Sequence, residues 1–248
     1  MPLPDHDFDV TEVAVPWSLL RDAGHTLIFA TEVAGTRPAA DPRLLDGVLF
    51  GKLGAEAEAI AFYRALEDAR EFRETIGWSS IDAARFDALL LPGGHAPRMR
   101  QYLGSTLLQD KVAAFWRTGK PVAAICHGTL LLARAKDQTT GKSVLSASRT
   151  TCLPKYMERL AYALTSWKLG RYYRTYDAYV EDEVRAALDD PERQFVRGPT
   201  TLGTRGTMID DAPAFVVDDG RYVSARWPGD AYAFARLLAT KLERLPPA

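Results

Sequence analysis

A chain of 248 residues that is 47% hydrophobic can bury a full core, and it is long enough for one large α/β domain or two small ones; one domain over residues 1–248, with insertions, is the expectation. Its 31 basic and 32 acidic residues leave a net charge of −1 with no block of like charge, which argues against a nucleic-acid or anionic-membrane surface. Met1 to Val10 is acidic and has neither a basic n-region nor an apolar h-region, and no later apolar run reaches the roughly 18 residues of a membrane helix, so a soluble cytoplasmic protein is expected.

Along the chain, Val15 to Gly24 has proline near a helix start and glycine where the helix should stop, and Thr26 to Thr31 follows as an apolar strand. Gly51 to Phe72 predicts an alanine- and glutamate-rich helix inserted between strands. Asp87 to Pro92 and Pro121 to Ile125 are short apolar runs of the kind that form buried parallel strands, followed by helices over Leu107 to Arg117 and Thr129 to Ala135. Tyr156 to Pro199 holds a helix, an aromatic cluster and a second helix at Val180 to Leu188; Ala214 to Ala225 predicts a hairpin around Asp219 and Gly220, before a last helix to Leu242. The repeated strand, loop, helix order predicts a doubly wound, mainly parallel α/β sheet with helices on both faces. The segments 44–80 and 156–199 are expected to form a small helical cap over the carboxyl ends of the strands.

The chain has two cysteines, Cys126 and Cys152; both are expected as free thiols, because a chain of this size needs no disulfide. Ala124-Ile-Cys-His-Gly128, between an apolar strand and a helix, has the form of a nucleophile elbow, with small residues flanking a sharp turn that exposes one side chain. A thiol there meets the helix N-terminus, whose dipole and free N–H groups favour the thiolate. An arbitrary cysteine is more often a small buried hydrophobe, but strand, Cys-His-Gly and helix together favour function.

Asp87-Ala-Leu-Leu-Leu-Pro-Gly-Gly-His95 followed by Val122-Ala-Ala-Ile-Cys-His-Gly-Thr129 resembles the ThiJ/PfpI superfamily of class I glutamine amidotransferase-like proteins, over most of the chain. The resemblance implies a flavodoxin-like fold. It also implies an acidic residue four positions before a helix-opening proline, hydrogen-bonded to the cysteine; in Thr11-Glu-Val-Ala-Val-Pro16 that residue is Glu12, which fits beside a thiolate if it is protonated. The larger, chaperone-like branch adds a group orienting the histidine after a Leu-Pro step, which here is Glu158, completing a Cys126-His127-Glu158 arrangement. Backbone N–H groups of Gly93, Gly94 and His127 are the candidate oxyanion hole.

Weaker candidates are His95, as a pocket lining, and Tyr172, Tyr173 and Tyr176, which either wall the site or simply pack the insert. Arg205 and the Arg226-Trp-Pro-Gly-Asp230 turn are equally open, and Cys152 reads as core, with a resolving role as the alternative. His6 and His25 show no metal-ligand spacing, so neither a metal nor another cofactor is expected. Members of the family normally begin with an apolar strand that enters the loop carrying the glutamate, whereas this sequence opens Met-Pro-Leu-Pro. Either the sheet lacks that central strand or the start is a downstream methionine; the second is the expectation.

The resemblance implies a cysteine enzyme of the glyoxalase III type, converting methylglyoxal-like 2-oxoaldehydes to hydroxy acids without glutathione, with protein deglycase activity beside it. Amidase or peptidase chemistry at the same cysteine is the alternative, and a stress holdase or redox sensor is the non-enzymatic one. A small-molecule aldehyde or amide is the expected partner, in a homodimer.

Overall fold

The structure, a computed structural model, describes residues 1–51, 53–201 and 203–245. Near the amino terminus lie β1 (His6–Phe8), β2 (Ala30–Thr31), β3 (Ala39–Ala40) and β4 (Ile76–Gly77), with β1 parallel to β3 and β2 parallel to β4. The strands β5 (Leu89–Leu91), β6 (Val122–Ile125), β7 (Val216–Asp219) and β8 (Tyr222–Ala225) form a four-stranded sheet in the order β5-β6-β8-β7, parallel except at β7. All four residues of β6, Val-Ala-Ala-Ile, are buried, as both faces of a helix-covered parallel sheet require. The antiparallel β7–β8 pair is the hairpin predicted around Asp219 and Gly220.

The Val10–Asp22 helix packs against the Ala57–Asp68 and Ala231–Glu243 helices, while Thr106–Arg117 packs on Thr129–Arg134 and that helix on Val180–Ala186. Among the described residues no helix is long and apolar enough to cross a membrane.

Two expectations change. The first helix begins at Val10 rather than at Pro16, because the Asp9 carboxylate caps it by accepting from the N–H groups of Thr11 and Glu12; Pro16 therefore lies inside the helix. The first insertion supplies less cap than expected. Its helix spans Ala57–Asp68 and turns Ala59, Tyr63 and Leu66 into the core beside the first helix, and β4 pairs with β2, so among its described residues only Leu44, Val48 and Leu53 reach the site. Met1 to Phe8 is paired along one edge, through Ala30 N–H to Met1 O, Leu3 N–H to Ala30 O and Asp41 N–H to Phe8 O. A cleft of about 540 Å³ is lined by Met1, Thr26 to Ile28 and Asp87 to Leu90.

Candidate active site

The site forms where β6 ends. Cys126 follows Ile125 directly and takes a φ of +58°, a left-handed conformation that costs a non-glycine residue on the order of 1–3 kcal/mol. The next turn, Cys126–Gly128, leads into Thr129–Arg134. The turn can be this tight only because residue 128 is glycine: a Cβ there would lie 2.1 Å from Leu91 O, at the end of the neighbouring strand. Cys126 Sγ lies 3.5 Å from His127 Nδ1.

Glu12, wholly buried, reaches the same point from the first helix. Its Oε2 accepts from Gly93 N–H at 2.7 Å. Oε1 is buried without a hydrogen bond of ordinary geometry, although the Cys126 thiol is close enough to interact with it. Burial, then the nearby Asp9 charge, pushes the Glu12 carboxyl well above the usual carboxylate range, which favours its protonated form.

Burial, then the Glu12 and Asp9 carboxylates, pushes the Cys126 thiol up, and only the His127 N–H draws it down. The thiolate expected from the helix dipole is therefore not the resting form; a six-residue helix behind a single turn does not offset desolvation. Protonation of Glu12 removes one of the opposing charges. His127 is held well below its ordinary value by burial, then by His95, Arg134 and Arg174, which favours its neutral form.

Glu158 does not reach the His127 ring. Its Oε1 accepts from Arg174 at 3.2 Å and its Oε2 from the Val180 N–H at 3.1 Å, so it ties the second insertion together while remaining on the pocket wall. Burial raises it to about 7. Gly93 also leaves the expected oxyanion hole, since its N–H is taken by Glu12. A Cβ at Gly94, whose φ is +154°, would meet Asp7 O at 2.8 Å, which is why glycine is required beside the site.

His95 lines the pocket, tilted against Tyr173 with ring centroids 4.0 Å apart and stacked on His127 at 6.0 Å. Of the three tyrosines only Tyr173 lines the pocket. Tyr172 is turned away by its hydrogen bond to Asp41, at 2.9 Å, and Tyr176 is held by the guanidinium of Arg134, 4.3 Å from its ring. Cys152 is buried outside the pocket, and both cysteines are free. Arg226 and Asp230 form a fully buried two-pronged ion pair, 2.9 Å on each prong, that fixes the turn carrying Trp227 and Pro228 into the pocket.

The pocket measures about 240 Å³ and also takes in Asp9, which the sequence does not mark, and Arg205, which it leaves open. Asp9 caps the first helix through Oδ1 while its carboxyl lines the pocket. Arg205 rests 5.0 Å over the Trp227 ring. Asp9-Val-Thr-Glu12 is a capping-box pattern, which could have marked the helix start; here the glutamate is diverted to Gly93. Burial holds the Asp9 carboxyl protonated to about 6, against 3.8 ordinarily, with Arg205 opposing. The folded state then binds the extra proton between these values, so stability should fall as pH rises from 3.8 to about 6. Asp9→Asn keeps the cap and should flatten that part of a thermal-unfolding profile; an unchanged slope would refute the assignment.

The chain is 28% identical to an uncharacterized protein of Schizosaccharomyces pombe over 95% of this chain and 80% of that one. It is 26% identical to a deglycase of Pyrococcus abyssi over 92% and 90%. The fold is similar to that of glyoxalase III from Candida albicans, with a TM-score of 0.68, 18% identity, and coverage of 97% of this chain and 95% of that one. The family model described as ThiJ/PfpI family-like matches residues 3–199, and the chain belongs to that family.

Proposed function

We propose that the chain is a cysteine-dependent enzyme of the glyoxalase III and deglycase kind, acting on 2-oxoaldehydes without glutathione. The observation that carries this reading is the Cys126 sulfur, presented at a strained turn to the pocket between buried Glu12 and His127. The names of the Pyrococcus deglycase and the Candida glyoxalase III support it.

In this reading the sulfur bonds to the aldehyde carbon, C1, as the thiol proton passes to His127 Nδ1. Glu12 gives its proton to the C1 oxygen, and the hemithioacetal forms. The Glu12 carboxylate, strongly basic because it is buried, then takes the hydrogen from C1 and returns it to C2. The proton held on His127 ends on the C2 oxygen, and the C1 hydroxyl proton goes back to Glu12 as the thioester forms. Water cleaves the thioester, releasing the 2-hydroxy acid and the thiol. The N–H groups of Gly94 and His127 are the donors for the oxyanions.

The test is lactate formation from methylglyoxal without glutathione, repeated with hydroxylamine. Turnover with lactohydroxamate formed at the expense of lactate is expected, because hydroxylamine intercepts a thioester. A folded protein that forms neither product would overturn the proposal.

A further inference from the structure

Methylglyoxal is small for this site. Allowing ~30 Å³ for each water-sized group, the 240 Å³ pocket has room for about eight, whereas methylglyoxal beyond its two carbonyl groups is a single methyl. Much of the lining is apolar, with Leu44, Val48, Leu153, Met157 and Trp227 among it.

The apolar surface continues outside. On the Lys155–Leu169 helix, Leu160, Leu164 and Trp167 recur at the spacing of one helix face and are 43%, 46% and 68% exposed. Phe50, 80% exposed, stacks on Trp167 at 6.5 Å, and Leu53, 54% exposed, lies on the pocket wall with Leu160 and Leu164. Phe50 and Leu53 both hold left-handed backbone, φ +50° and +63°, strain that bulky side chains normally avoid. A water-facing patch of this kind beside a reactive sulfur marks a binding surface.

Resting on the reading of Cys126 as the sulfur that attacks a 2-oxoaldehyde, we propose that the site selects 2-oxoaldehydes whose C2 carries an extended apolar substituent, alkyl or aryl, which fills the pocket and lies along the Leu160–Leu164–Trp167 face.

The experiment compares kcat/KM for straight-chain 2-oxoaldehydes from methylglyoxal to 2-oxooctanal. Each methylene is expected to raise it about fourfold until the pocket is full; a flat or falling series would overturn the proposal. Leu164→Ser and Trp167→Ser, both at exposed positions, should lower the preference for 2-oxooctanal over methylglyoxal by about tenfold. A second measurement is independent of turnover: the rate at which alkyl methanethiosulfonates of increasing length modify Cys126, in a Cys152→Ala background. Rates rising with length while no 2-oxoaldehyde is turned over would uphold the apolar pocket and sink the glyoxalase reading. Methylglyoxal turnover with both series flat would do the reverse. Dissociation of a dimer by Trp167→Ser, read by light scattering, would make the face a subunit contact and overturn its role in substrate selection.

Discussion

Glu12→Gln is expected to lower kcat/KM on any 2-oxoaldehyde by roughly 10²–10⁴-fold, the usual contribution of a positioned acid–base group, while leaving the protein folded. Glutamine retains an oxygen for the Gly93 N–H, which Glu12 accepts at 2.7 Å, but it cannot take the hydrogen from C1. Its stability profile should also change in a defined direction. Because burial and Asp9 raise the Glu12 carboxyl well above 4.5, the native state holds a proton that the unfolded chain has released, and stability is lost as pH rises above that value. Glutamine should remove this loss. Glu12→Ala, by contrast, strands the buried Gly93 N–H, at a cost of roughly 1–3 kcal/mol. Full activity of a folded Glu12→Gln protein would exclude the proton-carrying role.

Gly128→Ala should be the most damaging of the small substitutions. The added Cβ would meet Leu91 O at 2.1 Å and Pro92 O at 2.7 Å; Leu91 ends β5, which is pinned to β6 by its ladder, and Pro92 follows it directly. Relief requires the elbow or the strand to move. Overpacking of this kind costs ~3 kcal/mol or more, which for a chain of this size lowers the unfolding midpoint by about 6–12 °C. Activity should fall further than stability, since a displacement of the nucleophile by about 1 Å costs on the order of 10²-fold. A midpoint within 2 °C of wild type, by calorimetry, would contradict the packing described here.

The elbow was legible because its demands are local: an apolar strand, glycine where backbones touch, and a helix after it. Cys126, His127 and Glu12 came from that pattern and the family resemblance, and the structure brings them together. Glu158 was misplaced because its partners, Arg174 and the Val180 N–H, are supplied by the folding of the second insertion rather than by any pattern near His127. The same holds for Tyr172, whose orientation is set by Asp41, 131 residues away. Asp9 was missed because the proline at position 16 looked like a helix start, whereas Asp9 caps the helix two turns earlier. The first insertion looked like cap since its alanine- and glutamate-rich helix gives no sign of which layer it joins; Tyr63, donating no pattern of its own, decides this by accepting from the Ala40 N–H.

The central claim is that one sulfur, Cys126, carries the reaction. It is tested most directly by lactate formation from methylglyoxal, without glutathione, in three proteins: wild type, Cys126→Ala and Cys152→Ala, each shown to be folded. Turnover in wild type and Cys152→Ala, with none in Cys126→Ala, is the predicted result. Turnover that survives Cys126→Ala would contradict the account.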